Sequence, residues 1–299
     1  MSSARVNPNI LPDLLAGLDT MQQQLNQADL ELASGRSINA PSDNPVGTQS
    51  LVLNHAAQAQ NDTFQQNVGN LQSRMQTADS ALNSAENAIN QAISLGVEAG
   101  NSDLTDAQRQ AIALQLQGIQ QQLVNTANTS YNGTFLFGGT LVETAPFTLN
   151  PAVPAGVTYS GNASVTSVEI DSGESVSVNV PGDQLFLNPA GSLLGSLNQL
   201  ITAVQTNTGI SAANVAFGQG TTQFFAQSVS YGSTLDQLQS TSTQLATAKV
   251  QLATQESSID AADIAQVTTN FSQAELDYQT LLEAEGKILN LPNLISFIQ

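Results

Sequence analysis

The chain has no cysteine, and only 10% of its 299 residues are charged. Without cysteine, the protein has no disulfide framework, no thiolate metal site and no cysteine nucleophile. A charged fraction of 10% is well below the usual value of about 25%, so salt bridges cannot be the main source of specificity between helices. Shape, small alanine contacts and hydrogen bonds from Gln, Asn, Ser and Thr side chains must supply that specificity.

Basic residues are the scarcer charge, since six Lys and Arg residues face 24 Asp and Glu residues, a formal net charge of −18. This balance argues against binding to nucleic acid, whose phosphates require basic contacts. No stretch approaches the roughly 20 apolar residues of a membrane span, and the N-terminus lacks the apolar core of a cleavable signal peptide. We therefore expect no nucleic acid partner and no membrane insertion. The absence of cysteine suits a protein that is exported unfolded.

Metal and catalytic chemistry is limited by the presence of a single histidine, His55. A His-Glu-x-x-His motif and a three-histidine zinc site each need more than one histidine, and no Gly-x-Ser-x-Gly motif accompanies His55. Asp260 and Asp263 have the spacing of an acid pair, but we interpret them as capping or hydrogen-bonding residues at a helix bend. The sequence thus predicts no catalytic, cofactor-binding or metal residues, no cofactor and no enzymatic activity.

Apolar residues with heptad spacing dominate both ends of the chain. The N-terminal series is Leu11, Leu14, Leu18, Met21, Leu25, Ala28 and Leu32. The C-terminal series is Ile264, Val267, Phe271, Ala274, Tyr278, Leu281 and Ile288, with Glu285 in the one missing position. A narrow apolar stripe of this period needs a partner helix. We therefore expect the two ends to pair with each other, together with copies from other subunits.

Four further helical regions follow the N-terminal series, and the last of them leads into the C-terminal series. A long helix is predicted from Pro45 to about Ala99, and its stripe is Phe64, Val68, Leu71, Met75, Ala78, Leu82, Ala85 and Ile89. Thr105 and Gln108 have the spacing of a capping box and open a third helix. Its stripe is Ile112, Leu116, Ile119 and Leu123. Helix returns at residues 193–204, and a last helical region begins near Ser211, with an interruption at Gly218–Gly220.

The segment between the helices has a different pattern, with short alternating runs separated by turn residues. Its predicted strands are Thr134–Phe137, Phe147–Leu149, Val157–Tyr159, Ser164–Ile170 and Ser175–Val180, arranged as a small β meander or sandwich. Because this segment contributes none of the heptad positions, we expect it to decorate the helices without holding them together.

The predicted fold is mainly α with an inserted β domain, in which long antiparallel heptad helices form a rod from both chain ends. Residues 1–34 and 265–299 would form the inner terminal helices, and residues 35–44 a linker. Residues 45–130 with 192–264 would form the helical rod domain, and residues 131–191 the inserted β domain.

Two groups of residues are candidates for function. The apolar stripes and the apolar C-terminal tail are predicted to form an assembly interface, because an exposed apolar patch usually marks an interaction site. This group is Leu14, Leu18, Met21, Leu25, Leu32, Phe271, Tyr278, Leu281, Ile288, Leu291, Leu294, Ile295 and Phe297. The linker and the return crossing are predicted at Gly35, Arg36, Asn39, Pro41, Asp43, Pro45, Asp260 and Asp263.

Several segments resemble the flagellin superfamily of bacterial flagellar axial proteins. Residues 32–45 (LASGRSINAPSDNP) resemble the junction between the inner terminal helix and the first rod helix, and residues 259–265 (IDAADIA) resemble the return crossing. Residues 131–140 (YNGTFLFGGT), 144–147 (TAPF) and 291–298 (LPNLISFI) are similar to the hook-associated protein 3 family, although Pro292 departs from the usual tail.

The resemblance implies a secreted structural protein that forms a ring at the hook–filament junction of the extracellular flagellum. Its implied partners are another hook-associated protein on the hook side, flagellin on the filament side and an export chaperone of the flagellar type III pathway. The alternatives are a flagellin that forms the filament itself, a secreted adhesin or binding module that uses the β segment, and an enzyme. Residues 135–139 argue against a flagellin, and no constellation of residues supports an enzyme.

Overall fold

The computed structural model describes the backbone of residues 10–289 and the side chains of residues 12–287. Its helices are α1 (Ile10–Ser34), α2 (Pro45–Ala99), α3 (Asp106–Ala127), α4 (Gly182–Phe186), α5 (Leu193–Thr206), α6 (Ile210–Asp260) and α7 (Ile264–Leu289). Its strands are β1 (Ser130–Tyr131), β2 (Thr134–Phe135), β3 (Phe147–Leu149), β4 (Val157–Tyr159), β5 (Ser167–Asp171) and β6 (Glu174–Ser177). The predicted fold class, mainly α with an inserted region of short antiparallel sheets, is confirmed.

Two compact units make up the chain. The terminal unit contains Met1–Ala59 and Lys249–Gln299, and the central unit contains Gln60–Ala248. The four-part domain division from the sequence stays a prediction. Among the described residues, no helix has the length and hydrophobicity needed to cross a membrane.

Helix ends follow local sequence signals. Gly35 has a φ of +70° and donates its N–H to the Glu31 carbonyl at 2.9 Å, so it ends α1 as a left-handed cap. The Asn44 side chain accepts the Gly47 N–H at 2.9 Å and caps α2, whose first residue is Pro45. The capping box of Thr105 with Gln108 is present at the start of α3, as predicted.

The core of the central unit is built from the predicted stripes. The predicted stripe residues of α2 and α3 are all buried and belong to one hydrophobic cluster. The same cluster contains Leu193, Leu197, Leu200 and Val204 of α5. The helices pack because each one alone would leave an apolar face in water.

The β region consists of three separate two-stranded antiparallel sheets, β1–β2, β3–β4 and β5–β6. The predicted meander or sandwich is therefore wrong, because each hairpin packs its apolar side chains on the helices and not on another sheet. Phe147, Val157, Ile170 and Val176 all lie in the same hydrophobic cluster as the helix stripes. The expectation that the β segment only decorates the helices is not supported by this packing.

An aromatic cluster joins the β region to the helices. It consists of Phe137, Phe147, Tyr159, Phe186 and Phe224. The Phe186 ring centroid lies 5.6 Å from that of Phe137, 5.4 Å from that of Phe147 and 5.6 Å from that of Phe224. The contacts of Phe186 with Phe137 and Phe147 are edge-to-face, and such pairs stabilise a core beyond the area that they bury. Phe186 belongs to α4, a short helix that the sequence did not predict.

The glycine pair after Phe137 has a steric role. Gly139 has a φ of +70°, and a Cβ atom at that position would overlap the Asn162 carbonyl. The Asn162 side chain accepts the N–H groups of Thr140 at 3.0 Å and Ser164 at 3.2 Å, which ties the two loops together. The Gly138–Gly139 turn therefore lets the chain leave the aromatic cluster in a direction that a residue with a side chain would not permit.

The predicted interruption at Gly218–Gly220 is wrong, because α6 runs without a break from Ile210 to Asp260. A Cβ atom on Gly220 would lie 2.8 Å from the Ser196 Oγ and 3.0 Å from the Leu193 Cα. This glycine allows α5 to approach α6 closely, so its function is packing and not helix termination.

We expect Tyr231 of α6 to titrate late, because its side chain is 2% exposed. Burial is the main reason that its pKa rises from 10.0 to about 12; Arg74 lowers this pKa and Asp79 raises it. A raised pKa in the folded state contributes stability below pH 10 that is lost as the pH rises towards 12. Because burial also raises the pKa of Tyr159, the step of Tyr231 is identified by substitution. In ultraviolet titration, Tyr231→Phe should remove a tyrosine step near pH 12 and flatten the loss of stability between pH 10 and pH 12. An unchanged step near pH 12 in this variant would contradict the assignment.

Candidate assembly surface

The terminal helices α1 and α7 pack side by side and run antiparallel. The C-terminal end of α1 meets the N-terminal end of α7, where Ala262 N donates to Gly35 O at 3.1 Å. Farther along the pair, a Cβ atom on Gly17 would lie 3.9 Å from the Leu281 Cδ1. The two heptad stripes therefore face each other, as their spacing requires.

This seam between α1 and α7 is only partly covered. Ala28, Val267 and Ala274 are buried. These three belong to the heptad stripes but not to the predicted interface. The predicted interface residues with described side chains are all partly buried; they are Leu14, Leu18, Met21, Leu25, Leu32, Phe271, Tyr278 and Leu281. Two helices cannot enclose an apolar seam from every side, so the pair leaves apolar surface in contact with water.

Further apolar side chains on the same two helices are exposed. Leu15 and Leu30 of α1 are 51% and 56% exposed, and Leu276 and Leu282 of α7 are 58% and 45% exposed. Burying such side chains in a contact with another chain would be favourable, at about 25 cal/mol for each Å² of apolar surface. The predicted positions Ile288, Leu291, Leu294, Ile295 and Phe297 lie outside the residues whose side chains are described.

A groove of about 420 Å³ follows the seam at the level of its two alanines. Its lining includes Gln24, Gln27 and Glu31 from α1 and Asn270, Gln273 and Asp277 from α7, beside Ala28, Val267 and Ala274. Gln27 donates to Glu31 at 3.3 Å, and Gln273 donates to Asp277 at 3.0 Å. Each of these hydrogen bonds lies within one helix, so the prediction that amides supply the specificity between helices stays a prediction.

The linker after α1 is held in shape by its own side chains. Asp43 accepts the N–H groups of Asn39 at 3.0 Å and Ala40 at 2.7 Å, and the Asn39 side chain donates to the Arg36 carbonyl at 3.0 Å. Pro41 lies in the turn between these groups, and Pro45 starts α2. Asp43 thus organises the loop, whereas the neighbouring Asn44 caps the helix.

The linker and the return crossing form a short antiparallel bridge, in which Arg36 pairs with Ala261. Ser37 N donates to the Asp260 carbonyl at 2.6 Å. The Asp260 carboxylate accepts the Ile38 N–H at 3.1 Å and a hydrogen bond from the Arg36 Nε. Asp260 is 3% exposed, so its charge is held away from water and depends on these donors.

Glu256 lies one helical turn before Asp260 and extends this polar network. It accepts hydrogen bonds from Gln58 at 2.7 Å and Arg36 at 3.4 Å, and the His55 Nε2 lies 3.0 Å from it. The hydrogen bond from Gln58, followed by that from His55, lowers the pKa of Glu256. His55 therefore takes part in a structural contact.

Asp263 has a separate role from Asp260. Its side chain accepts the N–H groups of Ala265 at 3.0 Å and Gln266 at 3.1 Å, so it caps α7. Across the described part of the chain, no three His, Cys, Asp or Glu residues are grouped in a way that could hold a metal ion.

Sequence reasoning missed the polar continuation of the α2 stripe. Counted backwards from Phe64 in steps of three and four, the stripe reaches Asn61, Ala57 and Asn54, and both asparagines are buried. Asn54 donates to the Leu252 carbonyl at 3.1 Å and Asn61 donates to the Leu245 carbonyl at 3.2 Å. The unbroken 3-4 spacing was the available signal, but the apolar residues that define a stripe give way to amides at these positions.

Comparison with known proteins supports the resemblance. Residues 11–141 match the family model described as the bacterial flagellin N-terminal helical region. Flagellar hook-associated protein 3 of Salmonella typhimurium is 30% identical over 173 residues, which are 58% of this chain and 53% of that protein. Flagellar hook-associated protein 3 of Escherichia coli is 27% identical over 214 residues, which are 67% of this chain and 66% of that protein. The chain thus spans about half to two thirds of the length of these curated relatives.

The crystal structure of Xanthomonas campestris FlgL has the same fold. Its superposition on this chain has a TM-score of 0.59 at 18% sequence identity. The superposition covers 68% of this chain and 98% of the FlgL chain. Together these matches confirm the predicted likeness to the flagellin superfamily and, within it, to hook-associated protein 3.

Proposed function

Because the chain carries a bacterial flagellin N-terminal helical region and has the fold of FlgL, we propose that it is a secreted structural protein of the bacterial flagellum. Its place is the hook–filament junction, outside the cell. The observation that carries this proposal is the partly covered seam of α1 and α7, because a helix pair with so much exposed apolar surface is suited to assembly and not to a solitary monomer.

The proposed partners follow from this surface. Copies of the chain associate as a ring through α1 and α7, with another hook-associated protein on the hook side and flagellin on the filament side. A cytoplasmic chaperone covers the apolar ends before export through the flagellar type III pathway. The low charge and the amide-lined groove support packing between helices as the mode of association. The relatives' names support a structural role and no enzymatic activity.

Leu281→Asp tests the proposal, because the substitution places a carboxylate in the seam beside Gly17. Burying an unpaired charge there would cost several kcal/mol, so we expect at least a tenfold loss of the protein from the hook tip. Cells should then make hooks without filaments and release flagellin into the medium. Immunoelectron microscopy and motility assays in a strain lacking the native copy measure both effects.

Gln279→Asp is the matched control, since Gln279 lies on the same helix but is exposed. It should leave localisation and motility unchanged. Two results would show that the protein is a flagellin and not a junction protein. One is wild-type protein along the whole filament, and the other is purified protein that grows into long filaments. Normal motility of the Leu281→Asp strain would contradict a role for the seam.

A further inference from the structure

The linker crossing has an unusual distribution of charge. Arg36 is the only Lys or Arg residue between positions 6 and 73, a stretch that contains Asp13, Asp19, Asp29, Glu31, Asp43 and Asp62. Of these carboxylates, those of Asp29 and Glu31 lie near the C-terminal end of α1, close in sequence to Arg36. Nevertheless, the Arg36 side chain binds Asp260 and Glu256, more than 200 residues away. Positive charge, which is the scarcer charge in this chain, therefore lies where the linker meets the return crossing.

The two carboxylates bound by Arg36 differ in burial. The side chain of Asp260 is 4% exposed and that of Glu256 is 28% exposed, whereas the Arg36 side chain is 48% exposed. A buried carboxylate depends strongly on its hydrogen-bond donors and its cation, because they alone compensate for its lost hydration. An exposed pair contributes little, because water solvates both groups. The contact with Asp260 must therefore dominate the network.

Asp260 and its neighbours also connect the return crossing to the linker by hydrogen bonds with backbone N–H groups. Its side chain binds Ile38 N, its carbonyl accepts from Ser37 N, and the neighbouring Ala262 N donates to Gly35 O. These bonds hold residues 35–38, which follow α1, against residues 260–262, which connect the end of α6 to the start of α7. Ile38 supplies an apolar anchor beside them, since it is buried and a Cβ atom on Gly47 would lie 2.6 Å from its Cδ1.

We propose that Arg36 and Asp260 form an electrostatic lock that fixes the directions in which α1 ends and α7 begins. The lock is a positioning device. It presents the α1–α7 pair for assembly, although neither residue needs to contact another subunit. The assembly part rests on the proposed function, whereas the lock itself is a property of the isolated chain.

Hydrogen exchange in the isolated full-length protein tests the lock. In Asp260→Asn, a neutral amide replaces the acceptor of the Arg36 side chain. The amides of Ser37, Ile38 and Ala262 should therefore exchange at least tenfold faster. The amide of Gly35, which binds Glu31 O within the α1 cap, should keep its rate, because α1 remains folded. Glu256→Gln is the matched control and should change these rates less than twofold.

The Asp260 side chain is buried and the Arg36 side chain is not, and this difference allows a second measurement. Arg36→Gln leaves the Asp260 carboxylate buried without its cation, so it should accelerate the three amides more than Asp260→Asn does. The double variant Arg36→Gln with Asp260→Asn should exchange more slowly than Arg36→Gln alone, because no buried charge remains. Three results would overturn the lock. Asp260→Asn could exchange at the wild-type rate, or Glu256→Gln could have an effect as large as that of Asp260→Asn. The third result is faster exchange throughout α1.

Incorporation into flagella tests the role in assembly. Asp260→Asn should be exported but incorporated at the hook tip at least tenfold less than the wild type. Faster exchange with normal incorporation would overturn the role in assembly. If the wild-type protein itself were absent from flagella, the proposed function would fail, while the exchange results would still decide the lock.

Discussion

Replacing residues 141–180 with a four-residue Gly/Ser linker is expected to abolish cooperative folding of the central unit. The replacement removes Phe147, Val157, Ile170, Val176 and Val178, which are all buried in the common hydrophobic cluster. At about 1.5–3 kcal/mol for each buried side chain, the loss is roughly 8–15 kcal/mol. This matches the whole stability of a typical domain, about 5–15 kcal/mol. Urea unfolding followed by circular dichroism would show the loss of a cooperative transition.

The linker itself would add no strain, because Gly182 N donates to Phe137 O at 2.8 Å and the two ends are therefore close together. A matched control inserts the same linker between Ser172 and Gly173, in the exposed turn of the β5–β6 hairpin. The control should unfold as the wild type does. A deletion variant that kept a cooperative transition of unchanged midpoint would show that the β region is a decoration after all.

Phe186→Ala should destabilise the central unit by about 3–5 kcal/mol, the usual cost of truncating a buried phenylalanine. Phe186 is fully buried and contacts three other rings, so its removal leaves a cavity between the β region and α6. Urea unfolding measures the difference in the free energy of unfolding.

Leu149→Ala is the control for this truncation, because Leu149 lies on β3 two residues after Phe147 but is 36% exposed. The control should lose less than about 1 kcal/mol, as most substitutions at exposed positions do. Equal losses in the two variants would mean that the aromatic cluster is not the centre of this packing.

Local sequence signals were sufficient for most helices. The heptad spacing of Leu14 to Leu32 and of Val267 to Leu281 predicted that the chain ends would pair, because a 3.5-residue period defines one face wherever the helix lies. The capping box of Thr105 with Gln108 was readable for the same reason, because the two residues bind each other's backbone groups. Such signals need no knowledge of the rest of the fold.

Glycine and asparagine were harder to interpret, because each has two physical uses. Gly220 permits close packing inside a continuous helix, although glycine also ends helices, and the sequence alone could not distinguish the two. Asn54 and Asn61 continue an apolar stripe with buried amides, and an amide at such a position is recognised only when its carbonyl partner on α6 is known.

The sequence by itself determined the class of fold, the paired terminal helices and the likeness to flagellar hook-associated proteins, because these depend on periodicity, composition and short motifs. Tertiary structure alone decided which distant residues meet. The aromatic cluster draws Phe137, Phe147, Phe186 and Phe224 from separate elements, and Arg36 selects Asp260 from 24 acidic residues in the chain. The physical reason is that burial and charge pairing depend on spatial proximity, which local patterns do not encode.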